Sequence, residues 1–167
     1  MKVLITGSNG QLGMALLSSK PKNIEVIAPN SKEFNLLNIK DCNEFLIKIK
    51  PDWIINAGAY TAVDLAESEP NKARIINGEA PTELAKTIKK IGGKFLQIST
   101  DFVFDGNSKN PYLPSDEPNP INIYGKTKLL GERGIQEVLK KTNQYFIIRT
   151  SWVMGPVGNN FALTMLN

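Results

Sequence analysis

A short apolar strand that runs directly into a glycine-rich turn is the feature of this sequence that most constrains its fold. Residues 7–13 read GSNGQLG, a G-x-x-G-x-x-G pattern between a predicted strand, Lys2–Thr6, and a predicted helix, Met14–Ser19. In such a loop the first glycine permits a tight turn, the second lets a pyrophosphate approach backbone N–H groups, and the third lets helix and strand pack closely. A plain strand-to-helix turn can hold three glycines too, so the position at the first strand of an α/β chain carries the nucleotide-binding interpretation.

Four further apolar runs predict a sheet of five strands. Each run is continuous rather than alternating, which is typical of strands covered on both faces of a sheet. With helical patterns between them, they predict an α/β fold: a doubly wound parallel sheet of the Rossmann type, with helices on both sides. The predicted strands are Lys2–Thr6, Ile24–Ala28, Trp53–Ala57, Lys94–Thr100 and Tyr145–Thr150.

Three more helices are predicted between the strands. Asn38 and Asp41 are spaced as in a capping box, which predicts a helix that begins at Asn38. Pro81 predicts the start of the next helix, Pro81–Ile91, which two glycines close. A long helix is predicted over Ile121–Lys141. The segment Asp105–Pro120 before it is predicted to be a loop of functional importance, because long loops in compact domains usually have one.

Composition excludes several classes of function. The chain of 167 residues is long enough for one domain with a sizeable core. It has no histidine, which excludes Ser-His-Asp hydrolysis and nearly all zinc sites, and we expect no metal. Its single cysteine, Cys42, excludes an intrachain disulfide and is predicted to be a small core residue. The net charge of +4 is attributed to solvated surface lysines, and no nucleic-acid partner is predicted.

The cellular location follows from what the sequence lacks. No apolar run approaches the ~18 residues that a membrane span requires, so no membrane partner is predicted. The first residues read as a strand that ends in glycine and not as a secretion signal. A cytoplasmic location is therefore the expectation.

The last residues predict an unfinished second part. Residues 151–160 are followed by FALTMLN, which is typical of the first turns of a helix. A doubly wound dinucleotide-binding fold commonly has six strands, and only five are predicted here. We therefore expect a dinucleotide-binding domain over residues 1–150 and the start of an incomplete substrate-binding part over residues 151–167, in a shortened chain.

The turn after the second strand bears on the choice of cofactor. An NAD-dependent enzyme would place an acidic residue there, on the ribose 2′-hydroxyl, but the first acid is Glu33. Ser31 and Lys32 could instead receive a 2′-phosphate, which favours NADP(H) over NAD(H), although Lys32 could equally be an exposed lysine. Asn35 and Leu36 are placed to contact the adenine. Small residues at 57–59, Ala-Gly-Ala, are suited to border the cofactor.

Tyr124 and Lys128 are the candidate catalytic pair. At a spacing of i, i+4 they share one face of the predicted long helix. Tyrosine with a pKa of ~10 is a poor acid–base group at neutral pH, and a neighbouring lysine is expected to lower that value. A surface lysine beside a core tyrosine would give the same pattern. Thr100, at the end of the fourth strand, lies where open α/β sheets bind ligands and could hydrogen-bond the same carbonyl oxygen.

Taken together, these motifs resemble the extended short-chain dehydrogenase/reductase superfamily and, within it, the dTDP-4-dehydrorhamnose reductase family. The resemblance implies hydride transfer from NADP(H), with NAD(H) as the alternative, to C4 of dTDP-4-dehydro-L-rhamnose. It also implies a homodimer in the intact protein. The matching stretches are GSNGQLG at 7–13, PDWIINAGAYTAVDLAESEP at 51–70, ISTDFVFDG at 98–106, PNPINIYGKTKLLGE at 118–132 and RTSWVMGPVGNNF at 149–161.

The resemblance also assigns roles to individual residues. The family's catalytic trio falls on Thr100, Tyr124 and Lys128, and its sugar contacts fall on Asp101, Phe102 and Trp152. Phe102 stands where the family usually has tyrosine, which removes one hydroxyl from the sugar site. The cofactor-lining positions fall on Gly7, Gly10, Gln11, Leu12, Asn35, Leu36, Ala57, Ala59, Tyr60 and Asn77.

Two other functions remain open on the same fold. One is a sugar-nucleotide epimerase or dehydratase. A dehydratase of this superfamily would carry Asp-Glu after the threonine, whereas Asp101 is followed here by Phe102, which cannot transfer a proton. The other is a non-catalytic NADP-binding protein that resembles the regulatory subunit of methionine adenosyltransferase. The presence of Thr100, Tyr124 and Lys128 favours an enzyme.

Overall fold

A computed structural model of the chain, which describes residues 1–158 and 160–166, contains one sheet of five parallel strands. The strand order is β2-β1-β3-β4-β5. All five predicted strands are confirmed, and the second and third are shorter than the apolar runs that predict them. The strands are β1 (Lys2–Thr6), β2 (Glu25–Ile27), β3 (Trp53–Asn56), β4 (Lys94–Thr100) and β5 (Tyr145–Thr150).

Seven α-helices occur in the described part of the chain, and none of them is both long and apolar enough to cross a membrane. Asn38 caps the second helix, as predicted, because its Oδ1 accepts a hydrogen bond from the Asp41 N–H at 3.4 Å. Residues 105–120 form neither helix nor strand, also as predicted. The helices are α1 (Gln11–Ser18), α2 (Ile39–Ile49), α3 (Val63–Ser68), α4 (Pro70–Arg74), α5 (Ala80–Ile91), α6 (Ile123–Leu139) and α7 (Phe161–Leu166).

The helix predicted over Pro81–Ile91 begins earlier than the sequence indicates. Helical backbone starts at Pro70 and continues through one π-helical turn, Ile75–Glu79, into α5. Pro81 has no N–H for the usual hydrogen bond to the carbonyl four residues back. In the π turn the bonds shift by one residue, and the Ala80 N–H bonds to the carbonyl of Ile75. This shift accommodates the proline inside a helix instead of at its start.

The main core lies on one face of the sheet, under α2, α5 and α6. Leu4, Ile54 and Phe95 extend from neighbouring strands into this core and are fully buried. Leu84 of α5 packs with them. Cys42 of α2 is also buried there, which confirms it as a core residue with a free thiol. This layer fixes α6, which carries Tyr124 and Lys128, against the strands.

The opposite face of the sheet is covered only in part. Val3, Ile5 and Trp53 line an apolar groove of about 320 Å³ beside the end of α1. Phe146 of β5 stacks on Trp53 at a centroid distance of 6.1 Å and remains 60% exposed. The continuous apolar strands predict coverage on both faces, but this face leaves apolar surface open to solvent.

The pairing of β1 determines where the sheet can bind a ligand. β1 lies between β2 and β3, so the connections from β1 and from β3 leave the sheet at a reversal of strand order. In open α/β sheets the crevice at the carboxyl ends of the strands next to such a reversal is the ligand site. The loops that follow Thr6, Asn56 and Thr100 meet at this crevice.

Candidate active site

A cleft of about 950 Å³ opens at the carboxyl ends of the strands. The glycine loop, the turn after β3, the end of β4, the first turns of α6 and the segment after β5 form its walls. Fourteen of the seventeen predicted site residues line it: Gly7, Gly10, Gln11, Leu12, Asn35, Leu36, Ala57, Ala59, Thr100, Asp101, Phe102, Tyr124, Lys128 and Trp152.

The glycine loop is shaped by close backbone contacts. Gly7 has φ +64°, and a Cβ there would lie 2.7 Å from the Cα of Gly58. A Cβ on Gly13 would lie 2.3 Å from the Gly7 carbonyl oxygen, so only glycine permits this approach of helix to loop. Gly10 precedes α1, and no side chain caps this end of the helix. The N–H groups of the first helical turn therefore remain suited to an anionic group in the cleft.

Three predicted cofactor residues do not line the cleft. The Lys32 side chain is exposed, and its N–H bonds to Asn30 Oδ1 at 2.9 Å, while its neighbour Ser31 lines the cleft. Tyr60 and Asn77 lie behind the cleft wall. The Asn77 side chain holds the backbone of Tyr60, accepting from its N–H at 2.9 Å and donating to its carbonyl at 3.0 Å. These two residues fix the strand-to-helix connection after β3.

A tight contact between α6 and the turn after β4 brings Tyr124 and Thr100 into one site. Asn122 caps α6 by accepting the N–H of Gly125 at 2.7 Å. A Cβ on Gly125 would lie 2.1 Å from the carbonyl oxygen of Phe102, so a side chain at position 125 would push the helix away. The Phe102 ring meets Tyr124 edge to face at 5.6 Å. The hydroxyl of Thr100 accepts the N–H of Phe102 at 3.1 Å and so begins the 3₁₀ turn Asp101–Val103.

The pKa values of Tyr124 and Lys128 differ from those expected from the sequence. Burial raises the pKa of Tyr124, the Thr100 hydroxyl lowers it and Asp101 raises it. Burial lowers the pKa of Lys128 from 10.5 to about 8, and the nearby Glu132 carboxylate opposes that shift. The expected lowering of the Tyr124 pKa by Lys128 is therefore wrong for this structure. The Lys128 ammonium instead donates to the carbonyl of Ile98 at 2.7 Å.

The sequence did not predict a buried ion pair that lies next to Lys128. Glu132 lies one helical turn after Lys128 and is 1% exposed. Arg149 of β5 contacts both its carboxylate oxygens, the shortest distance being 2.7 Å, and Ser99 donates to the same carboxylate. Arg149 also lies over the Phe104 ring at 5.0 Å. The sequence signals were an acid at i+4 from Lys128 and a cation within an apolar strand.

In the described part of the chain, no three His, Cys, Asp or Glu residues are grouped to hold a metal ion.

The segment after β5 is held over the glycine loop by Gln11. Its Nε2 donates to the carbonyl of Val153 at 2.6 Å, and its Oε1 accepts from Asn160 at 2.7 Å. Trp152 has φ +51°, and its ring meets Phe161 edge to face at 5.3 Å. Trp152 thus forms an outer wall of the cleft, where the sugar contact was predicted.

The long loop 105–120 is ordered but does not line the cleft. The Asp105 carboxylate accepts hydrogen bonds from the Asn107 N–H, the Asn119 amide and the Tyr112 hydroxyl. These bonds lower the pKa of Asp105 from 3.8 to about 2. The Tyr112 ring stacks on Phe104 at 4.2 Å. The loop therefore packs beside the ion pair of Arg149 instead of entering the site.

The chain is similar to known proteins along its whole length. Residues 1–167 match the family model described as the RmlD substrate binding domain. The chain is 42% identical to a dTDP-4-dehydrorhamnose reductase of Burkholderia thailandensis, covering 99% of this chain and 55% of that protein. The chain thus spans about half the length of the curated relatives it matches.

Solved structures give the same result for the fold. A dTDP-4-dehydrorhamnose reductase of Clostridium acetobutylicum superposes with a TM-score of 0.93 at 43% identity, over 99% of this chain and 58% of that one. The Bacillus anthracis reductase in complex with NADP has a TM-score of 0.93 at 40% identity, with the same coverage of 99% and 58%. Since the family match extends from the first residue to the last, the protein belongs to the RmlD substrate binding domain family.

Proposed function

We propose that this chain is the dinucleotide-binding and catalytic part of an NADPH-dependent reductase. The whole protein reduces the C4 carbonyl of dTDP-4-dehydro-L-rhamnose to give dTDP-L-rhamnose, for nucleotide-sugar and cell-surface polysaccharide biosynthesis. The observation that carries this proposal is the meeting of Thr100, Tyr124 and Lys128 with a glycine loop in one cleft. The names of the Burkholderia and Bacillus anthracis relatives, the latter in complex with NADP, support it.

We assign two parts to the chain. Residues 1–150 form the dinucleotide-binding domain, and residues 151–167 begin the part that binds the sugar nucleotide. The intact protein is a cytoplasmic homodimer. Asp101, Phe102 and Trp152, which line the cleft, contact the sugar.

The residues of the cleft fit a dinucleotide. The uncapped N-terminus of α1 and the close backbone approach at Gly7 and Gly13 provide N–H donors for a pyrophosphate. Asn35 and Leu36, which follow β2, line the cleft where an adenosine would lie, and Lys128 lines it next to β4, where it is bound to Ile98. When bound, NADPH supplies the hydride that reduces C4.

The protein groups hold the carbonyl oxygen and deliver a proton to it. Thr100 and Tyr124 hydrogen-bond the C4 oxygen, and Tyr124 Oη donates its proton as the alkoxide develops. Burial of Tyr124 raises its pKa, so the phenol is protonated at neutral pH, as a proton donor must be. Lys128 holds the nicotinamide ribose.

We predict that this chain by itself binds NADPH but does not turn over the sugar nucleotide. The glycine loop, the turn after β2 and the catalytic trio all lie within the chain, whereas the relatives extend well beyond the part it matches. Calorimetric titration with NADPH should give one site per chain. An assay of NADPH oxidation with dTDP-4-dehydro-L-rhamnose should give no rate.

A chimera supplies the matched control for that result. Continuing this chain with the remaining part of the Burkholderia reductase should restore NADPH oxidation with the same sugar. Robust turnover by the chain alone would show that its sugar site is self-contained. A chain that folds without binding NADPH, or an inactive chimera that binds both ligands, would contradict the proposed function.

Cofactor choice is tested at Lys32. Lys32→Glu should weaken NADPH binding about tenfold through loss of one charge-assisted contact, and NADH binding by less than about twofold, because only NADPH carries the 2′-phosphate. Lys22→Glu is the matched control, since Lys22 is another exposed lysine outside the cleft. Equal losses for both cofactors would show that Lys32 is a surface charge without a role in recognition.

A further inference from the structure

A row of buried hydrogen bonds crosses the sheet beneath the cleft. The Gly58 N–H donates to Thr6 Oγ1 at 3.0 Å, and Thr6 Oγ1 donates to Asn56 Oδ1 at 2.6 Å. Asn56 Nδ2 donates in turn to Gln97 Oε1 at 2.8 Å. Asn56 is 0% exposed and Gln97 2% exposed, so neither side chain has water as an alternative partner. The row joins the ends of β1 and β3 to the middle of β4.

The row ends on the carbonyl that holds the candidate catalytic lysine. Gln97 Nε2 donates to the carbonyl oxygen of Ile98 at 2.6 Å. Lys128 Nζ donates to the same oxygen at 2.7 Å. A carbonyl oxygen has two lone pairs, and here one receives the amide and the other the ammonium. The orientation of this one peptide group therefore depends on both Gln97 and Lys128.

The chemistry of the two ends determines the direction of every bond in the row. The Ile98 carbonyl can only accept, so the Gln97 NH₂ must face Ile98 and the Gln97 Oε1 must face Asn56. Asn56 therefore presents its NH₂ to Gln97 and its Oδ1 to Thr6, so the Thr6 hydroxyl donates to Asn56 and accepts from the Gly58 N–H. Reversing either amide would place two acceptors or two donors together. Each side chain thus has one allowed orientation.

We propose that Gln97 is a positioning residue that acts on the cofactor through Lys128, by fixing the Ile98 carbonyl to which Lys128 is bound. This inference rests on the proposed function, in which Lys128 holds the nicotinamide ribose. Gln97 is not among the residues that line the cleft, so it acts without touching the cofactor. Without its amide, the Ile98 carbonyl has one partner fewer, and the Lys128 ammonium loses a fixed point of attachment.

Gln97→Met tests this inference, because methionine keeps the length of the side chain and removes both hydrogen bonds. We expect NADPH binding to weaken about fivefold, the effect of one hydrogen bond, in calorimetric titrations of the chain. Thr87→Val is the matched control. It removes a part-buried hydrogen bond of similar length, from Thr87 to Asn43 at 2.8 Å between α5 and α2, away from the cleft. Thermal unfolding of both variants should show comparable destabilisation, and only Gln97→Met should change NADPH binding.

A double-mutant cycle with Lys128→Met separates positioning from general damage. If Gln97 acts through Lys128, the double variant binds NADPH no more weakly than Lys128→Met alone. If the losses of NADPH affinity caused by the two substitutions multiply in the double variant, the inference is wrong. It is also wrong if Gln97→Met and Thr87→Val bind NADPH equally well. Failure of the wild-type chain to bind NADPH would instead contradict the proposed function. If Gln97→Met does not fold, Gln97→Asn replaces it, since its shorter amide cannot reach both Asn56 and Ile98.

Discussion

Replacing Tyr124 by phenylalanine should lower the kcat of the active chimera by about 10²–10⁴-fold, the usual contribution of one general acid. The substitution removes the proton donor and keeps the ring, so the edge-to-face contact with Phe102 and the packing of α6 are retained. NADPH affinity should change little, because the phenol acts on the sugar carbonyl. Steady-state rates with saturating NADPH and sugar nucleotide measure the effect.

The control for this variant is another tyrosine with a hydrogen-bonded hydroxyl. Tyr112→Phe removes the bond from Tyr112 to Asp105 at 2.8 Å, outside the cleft. It should leave kcat within about a factor of two, because no group of the reaction is touched. A Tyr124→Phe enzyme that keeps more than about a third of the wild-type kcat would rule out Tyr124 as the proton donor.

The pH dependence follows from the raised pKa of Tyr124. A proton donor must be protonated, so the rate of reduction at saturating NADPH should stay constant through neutral pH. It should fall only as pH rises through the Tyr124 pKa, which lies above the ordinary value of 10. Lys128 has a pKa of about 8, so as pH rises it loses its positive charge before Tyr124 loses its proton. The loss of this charge should weaken NADPH binding first. We therefore expect two separate changes as pH rises: first an increase in KM for NADPH, and then, at higher pH, a fall in kcat.

The strands and the glycine loop could be predicted because their physical causes are local. Continuous apolar runs mark strands in a covered sheet, and the spacing of Gly7, Gly10 and Gly13 follows from backbone contacts within one turn. The helical start at Pro70 could not be predicted in the same way. It depends on a π turn that relieves the missing N–H of Pro81, and no side-chain pattern announces such a turn.

The sequence predicted most of the residues that line the cleft, but not their electrostatics. The i, i+4 spacing correctly places Tyr124 and Lys128 on one wall of the cleft. It does not reveal that the Lys128 ammonium is bound to the carbonyl of Ile98, a strand residue thirty positions earlier. For the same reason the partners of Glu132 were missed, because Ser99 and Arg149 reach it only after β4 and β5 pair. Contacts between distant segments set these pKa values and ion pairs, and periodicity carries no information about them.

Arg149→Met should destabilise the chain by about 3–5 kcal/mol, the usual loss when one partner of a buried ion pair is removed. The Glu132 carboxylate is 1% exposed and would lose every contact with the guanidinium, leaving only the Ser99 hydroxyl. Arg149 also joins β5 to α6, so the loss acts on the wall that carries Lys128. Urea unfolding followed by circular dichroism gives the change in free energy.

Two variants determine whether the buried charge is the cause. Glu132→Met combined with Arg149→Met removes both charges and should be more stable than Arg149→Met alone, because no unpaired carboxylate remains in the core. Arg133→Met is the matched surface control: its pair with Glu117 at 3.4 Å is solvent-exposed, and its removal should change stability by only ~0–1 kcal/mol. A double variant less stable than Arg149→Met would show that Glu132 still stabilises the fold through its remaining hydrogen bond with Ser99, and that an unpaired buried charge is not the cause of the loss. An Arg149→Met chain as stable as Arg133→Met would mean that water reaches Glu132, and that the junction of β4, β5 and α6 is looser than its burial indicates.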